Sequence, residues 1–161
     1  MPLVVASALA KSGLAPDRLE LEINEMALWG NVEAALSILY QLRGIGVRIA
    51  MDDFGTGYSS LNYLQSFPFD KIKIDRSFVQ DITERVGSLK IVRAVSALAH
   101  GFGMETTVEG VESPEQLAAI KAEGCNEMQG YLFSRPLPAE EIERRFLAQP
   151  KAAQAGNDAA A

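Results

Sequence analysis

The sequence predicts an α/β fold built as part of a (β/α) TIM-like barrel, and three observations carry that prediction. Five short β-like runs, Leu19–Asn24, Val47–Asp52, Lys71–Asp75, Glu105–Glu109 and Asn126–Gln129, alternate with helix-like stretches, which is the pattern of a parallel sheet. Apolar and polar residues alternate within these runs, so each strand has one apolar and one polar face. The polar face gathers chemically active residues at the C-terminal strand ends, where (β/α) barrels place their chemistry. A closed eight-stranded barrel typically takes about 250 residues, and this chain has 161. A partial barrel of about five parallel strands is therefore expected, with the first strands missing because they would precede Met1.

In the first run, Leu19, Leu21 and Ile23 oppose Glu20, Glu22 and Asn24. Asn31 can cap the helix that follows, whose apolar side includes Ala35, Leu39 and Leu42 and which Gly44 and Gly46 can close. In the second run Val47, Ile49 and Met51 oppose Arg48, Ala50 and Asp52, and in the third Ile72 and Ile74 oppose Lys71, Lys73 and Asp75. Phe67-Pro68-Phe69 reads as core and turn, since Pro68 interrupts it. Ser88 is a candidate cap for a helix carrying Ile91, Val92, Val95, Leu98 and Ala99 and ending at Gly101 and Gly103. In the fourth run Val108 opposes Thr107 and Glu109, and Ser113-Pro114-Glu115-Gln116 then forms a capping box with proline at the first helical position. One domain is expected over residues 1–148, followed by an Ala-rich tail, 149–161, with no apolar period and an expectation of disorder.

Composition narrows the function classes. The chain is 48% hydrophobic and 22% charged, an ordinary globular composition. One cysteine, Cys125, and one histidine, His100, exclude an internal disulfide framework and a Cys/His zinc cluster, so any metal must be held by oxygens. A net charge of −6 argues against a broad nucleic-acid surface, which needs a basic stripe. With no membrane-length apolar run and no secretory signal layout, the expected location is cytoplasmic, although a parent protein could be membrane-anchored.

Asp52-Asp53-Phe54-Gly55-Thr56-Gly57 follows an apolar strand directly. Adjacent carboxylates repel unless a cation or donors stabilise them, and a divalent metal is the economical explanation. The structural alternative is a turn begun by Asp53 and Gly55, with Asp52 capping the next helix. Glu22 faces the same interior; its alternative is a salt-bridge lattice with Arg48, Lys71 and Lys73. Lys73 could equally hold a water or phosphate oxygen as a compact charge. Glu109 sits at a strand end, whereas Glu112 can serve the dipole of the helix beginning near Ser113. Gln129 could orient a ligand or satisfy a buried neighbour.

Taken in order, Leu19–Glu25, Asp52–Leu61, Lys71–Phe78, Glu109–Glu112 and Gln129–Phe133 resemble the successive signature segments of EAL domains, the metal-dependent phosphodiesterases that linearise cyclic di-GMP. The resemblance implies a modified (β/α) barrel that cleaves cyclic di-GMP to linear pGpG with Mg²⁺ or Mn²⁺. It assigns Glu22, Asp52 and Asp53 to metal, Lys73 to positioning the attacking water, Glu109 to a supporting catalytic role and Gln129 to substrate. Glu25 matches a glutamate that steadies the Asp52–Tyr58 loop, which the family associates with dimerisation, so a homodimer or upstream domains of a larger parent are the expected partners. Asn24 stands where the family more often has threonine. The family's Glu-Ala-Leu glutamate and a downstream asparagine, both metal ligands, would belong to strands before Met1. The chain by itself is thus expected to be weakly active or inactive. The competing class is a non-catalytic module that binds cyclic di-GMP or pairs with another chain. A phospho-receiver domain fits poorly, since its acidic pair follows the first strand and its lysine the last.

Overall fold

The computed structural model describes residues 1–24, 32–55, 61–83 and 86–147. Its centre is a five-stranded, all-parallel sheet in the order β1-β2-β3-β4-β5: β1 (Glu20–Asn24), β2 (Arg48–Phe54), β3 (Lys71–Ile74), β4 (Glu105–Val108) and β5 (Glu127–Met128). Helices alternate with the strands: α1 (Pro2–Ser12), α2 (Val32–Ile45), α3 (Leu61–Ser66), α4 (Val86–Gly101), α5 (Pro114–Ala122) and α6 (Ala139–Ile142). The fold is thus the expected open succession of strand-then-helix units. No helix among the described residues is long and apolar enough to cross a membrane.

The core lies on the face that strand alternation assigns to it. Ile49, Met51, Ile72, Ile74 and Val108 are buried against Leu39 and Leu42 of α2, Val92 and Ala99 of α4, and Ile120 of α5. Full burial of side chains of this size stabilises by about 1.5–3 kcal/mol each. Phe67 and Phe69 are buried with stacked rings 5.8 Å apart, as a core-and-turn segment requires. Side-chain hydrogen bonds pin the strand starts: Asp70 Oδ2 accepts from Ile49 N at 2.9 Å, and Asn126 Oδ1 accepts from Thr106 N at 2.9 Å.

Helix ends follow local chemistry. Ser113 and Gln116 form the full capping box at the start of α5. Gln116 also reaches beyond it, with Oε1 accepting from Glu112 N at 2.7 Å and Nε2 donating to Val79 O at 3.3 Å. Gly46 and Gly103 adopt the left-handed backbone that ends α2 and α4, while Gly44 and Gly101 remain helical. Ser88 is not a cap: α4 already includes Val86, so Ser88 lies in its first turn. Asn31 and the tail 149–161 fall outside the described residues. Helix α1 precedes every element read from the sequence. It opens on Pro2 and closes at a left-handed Gly13, and it packs on α2.

The second strand also differs from expectation. Its run does not stop at Asp52 but continues to Phe54, because the β2–β3 register slips after Met51. Met51 pairs with Ile72 and Phe54 with Ile74, so Asp52 and Asp53 together face the single residue Lys73. This is a β-bulge, and Asp53 takes φ 56°, left-handed backbone that is unusual for a non-glycine residue. The bulge resets alternation so that Phe54 returns to the core, where it is 5% exposed.

Candidate active site on the polar face

The polar face carries two stacked layers of charge. The lower layer, toward the N-terminal strand ends, has one residue from each strand: Glu20, Arg48, Lys71, Glu105 and Glu127. Lys71 Nζ meets Glu20 at 3.0 Å and Glu127 at 2.7 Å, Arg48 Nε lies 3.6 Å from Glu20, and Arg48 also pairs with Glu105. Thr107 Oγ1 donates to Glu127 at 2.9 Å. The salt-bridge lattice weighed as an alternative for the inward carboxylates therefore exists, and it is built mostly from residues below the candidate site.

Hydrogen bonding to Lys71 holds the Glu127 carboxyl below its ordinary value. A carboxyl lowered in the folded state contributes stability above its unfolded pKa, and this is lost as pH falls through the folded value. Between about pH 5 and pH 3, wild type is therefore expected to lose more stability than Glu127→Gln, as urea melts at each pH would report. Burial disfavours charge on Lys71, but Glu127 and Glu20 outweigh it and raise its pKa. Its contribution is full at neutral pH and falls only above the ordinary lysine range.

In the upper layer Lys73 stands at the centre. Its Nζ lies 2.7 Å from Glu22 Oε1, 2.9 Å from Asp52 Oδ1 and 2.6 Å from Glu109 Oε1, and its side chain is 6% exposed. Burial opposes the charge, and the contacts with Glu109, Glu22 and Asp52 outweigh it, so the Lys73 pKa is held far above the ordinary lysine value. Contact with one nitrogen keeps Glu22 and Asp52 well inside the roughly 8 Å beyond which a single cation could not join them. Ala50, paired with Glu22 on one side and Lys71 on the other, presents only a methyl group beneath these long side chains.

The bulge places Asp53 in this layer too. Without it, alternation would turn Asp53 toward the core and Phe54 toward the site. Ligand atoms of Asp52, Asp53 and Glu109 lie within 4.8 Å of one another, a spacing that could hold a metal ion. Asp52 Oδ1 is buried, and the donor it meets is the Lys73 ammonium at 2.9 Å. An all-carboxylate donor set of this spacing suits a hard divalent cation, so the residues present fit one. Glu109 thus joins the carboxylates that could bind metal, beside Asp52 and Asp53, while Glu22 meets Asp52 through Lys73.

Gln129 follows β5, with its N–H donating to Val108 O at 2.8 Å. It borders an open depression of about 780 Å³ with Glu127, Tyr131 and Arg135, and a smaller cleft of about 170 Å³ with Arg76, Glu109, Glu112 and Tyr131. The Arg135 guanidinium lies 4.5 Å above the Tyr131 ring. Sequence reading leaves Arg76, Tyr131 and Arg135 without roles, since no spacing rule connects them to the acidic cluster. Glu25 and Tyr58 lie outside the described residues.

An acidic strand-end cluster around one lysine, on an open all-parallel sheet, is the arrangement the ordered signature segments imply. The EAL domain model matches residues 2–136. The chain belongs to the EAL domain family. Among curated relatives, it is 54% identical to the uncharacterized protein y4lL of Sinorhizobium fredii over 85% of this chain and 17% of that protein. It is 45% identical to the cyclic di-GMP phosphodiesterase NbdA of Pseudomonas aeruginosa over 91% of this chain and 19% of that protein. The chain therefore spans less than a fifth of the length of these relatives. Its fold superposes on the EAL domain of Mycobacterium smegmatis DcpA with TM-score 0.85 at 40% identity, covering 89% of this chain and 64% of that one. For the PaMucR phosphodiesterase in complex with c-di-GMP the values are 0.79 and 41%, covering 84% and 55%. Klebsiella pneumoniae BlrP1, as a manganese/cy-diGMP complex, superposes with TM-score 0.78 at 35% identity, covering 83% and 34%. The metal named for that BlrP1 complex is a divalent cation, the kind of ion that the carboxylate set of this site could hold.

Proposed function

We propose that this chain carries the phosphodiester-cleaving site of an EAL domain and that its substrate is cyclic di-GMP, opened to linear pGpG with Mg²⁺ or Mn²⁺. The observation that carries the reading is the convergence of Glu22, Asp52 and Glu109 on Lys73, with Asp53 brought alongside by the bulge. Asp52, Asp53 and Glu109, with Glu22 adjacent, would hold the cation. When bound, it supplies Lewis acidity that polarises the phosphate and lowers the pKa of water. Lys73 has a fixed ammonium that can orient the attacking water and offset charge on the phosphate oxygens. The water oxygen forms the new bond to phosphorus, its proton passes to a carboxylate such as Glu109, and the P–O3′ bond breaks. The departing 3′ oxygen takes a proton from solvent. Gln129, Tyr131 and Arg76 border the clefts beside Glu109, where a nucleotide base or sugar would rest.

Glu22→Gln or Asp52→Asn is expected to lower Mn²⁺-dependent conversion of cyclic di-GMP at least about 100-fold. Glu115→Gln, on the exposed first turn of α5, is expected to change it by less than about twofold. Chromatographic product assays on the three variants test the reading, and equal losses in all three would remove it.

The self-sufficient pairing of Lys73 with three carboxylates favours a second reading, a module that binds without cutting. Three clustered ligands also fill only half of the octahedral six-oxygen shell that Mg²⁺ or Mn²⁺ takes. For both reasons slow turnover is expected of residues 1–161 alone. Assays with excess Mn²⁺ beside the PaMucR phosphodiesterase separate the cases: comparable rates would discard both the slow-turnover expectation and the non-catalytic reading.

A further inference from the structure

The chain from Glu20 to Asn24 ends with a side chain that crosses to the neighbouring strand. Asn24 Nδ2 donates to Asp53 Oδ2 at 2.8 Å, although the sheet register pairs Asn24 with Asp52. It reaches the later residue because the bulge turns Asp53 onto the site face with φ 56°. A carboxylate there sits on uncommon backbone beside Asp52, in mutual repulsion, and needs a donor to select one orientation. A lysine or arginine would neutralise the charge a divalent cation requires. A neutral amide orients the carboxylate and leaves that charge in place.

We propose that Asn24 is a positioning residue that locks the Asp53 carboxylate onto the metal-binding cluster and thereby sets cation affinity. The inference rests on the reading of Asp52, Asp53 and Glu109 as cation ligands. Its support is independent of that spacing: a cross-strand hydrogen bond, a bulge, and left-handed backbone at the residue being held. Threonine at this position also offers a donor, through its hydroxyl, so donor capacity rather than amide identity is what the role requires.

The test titrates Mn²⁺ alone into residues 1–161 and into Asn24→Leu, Asn24→Thr, Asp53→Asn and the Asn24→Leu/Asp53→Asn double variant, by calorimetry, with metal-free thermal melts alongside. Asn24→Leu is expected to weaken Mn²⁺ binding about 10-fold, Asn24→Thr to stay within about threefold of wild type, and the metal-free melting temperatures of these two to match wild type closely. In the Asp53→Asn background, Asn24→Leu is expected to have no further effect, since the group it orients is no longer a ligand. If Asp53→Asn weakens binding and Asn24→Leu does not, the positioning role is overturned while the metal site stands. A fully additive double variant, or a loss matched by a fall in metal-free stability, also overturns it. If wild type binds no Mn²⁺, or Asp53→Asn changes nothing, the cation reading itself fails and this role with it.

Discussion

Lys73→Met is expected to abolish cyclic di-GMP turnover while leaving divalent-cation binding intact or tighter. The ammonium is the shared partner of Glu22, Asp52 and Glu109, at 2.6–2.9 Å. Methionine keeps an unbranched apolar stem, one atom shorter, but removes the charge, so three carboxylates are left facing one another. Stranding a buried partner typically costs about 3–5 kcal/mol. Here Glu22 keeps 48% of its side chain exposed, so water relieves part of the repulsion and about 2 kcal/mol is the expected loss. A cation that binds only the folded state recovers that loss by mass action. Mn²⁺ should therefore raise the melting temperature of Lys73→Met more than that of wild type, while turnover stays down by about 100-fold or more. A variant that melts like wild type without metal would show that Lys73 does not hold the carboxylates together. One that kept its turnover would remove Lys73 from the chemistry.

The second large effect belongs to a position with no functional group. A Cβ added at Gly130 would lie 2.1 Å from Val111 O and 2.4 Å from Val111 N. The constraint is space rather than backbone conformation, since Gly130 is not among the residues with positive φ. Val111 N donates to Gln129 O at 3.1 Å and Leu132 N donates to Val111 O at 3.0 Å, clamping the turn on both sides of the glycine. Backbone cannot swing aside as a side-chain tip does, so Gly130→Ala must break these bonds and move Gln129. Overpacking of this kind costs about 1–3 kcal/mol, and two lost hydrogen bonds place the expectation near about 3 kcal/mol. Gly44→Ala provides the contrast: it lies in α2 with nothing within 4 Å of the added Cβ, and a gain of up to about 1 kcal/mol is expected. Urea unfolding of both variants checks the pair. A Gly130→Ala protein as stable as wild type would mean the turn is not packed as described.

What the sequence determined by itself was the alternation of strands and helices, the face each strand turns to the core, and the strand ends that carry chemistry. These are local or periodic properties: Ile49 and Met51 against Arg48 and Asp52, or Ser113 against Gln116, can be read within a few residues. The same parity put Glu22, Asp52 and Lys73 on one side. A signal for the bulge was also present, since the apolar positions of the second strand shift from odd numbers, Val47 to Met51, to even at Phe54. Only the tertiary structure decided how that shift is absorbed. A register slip exists only between two strands, and it is the pairing of Phe54 with Ile74 that turns both Asp52 and Asp53 toward Lys73. The split of inward charges into two layers, the bond from Asn24 to Asp53, and the clamp on Gly130 were likewise decided there. Each joins residues distant along the chain, 29 apart for Asn24 and Asp53. Periodicity shows which face a residue takes, whereas which partner it meets depends on the height at which neighbouring strands align.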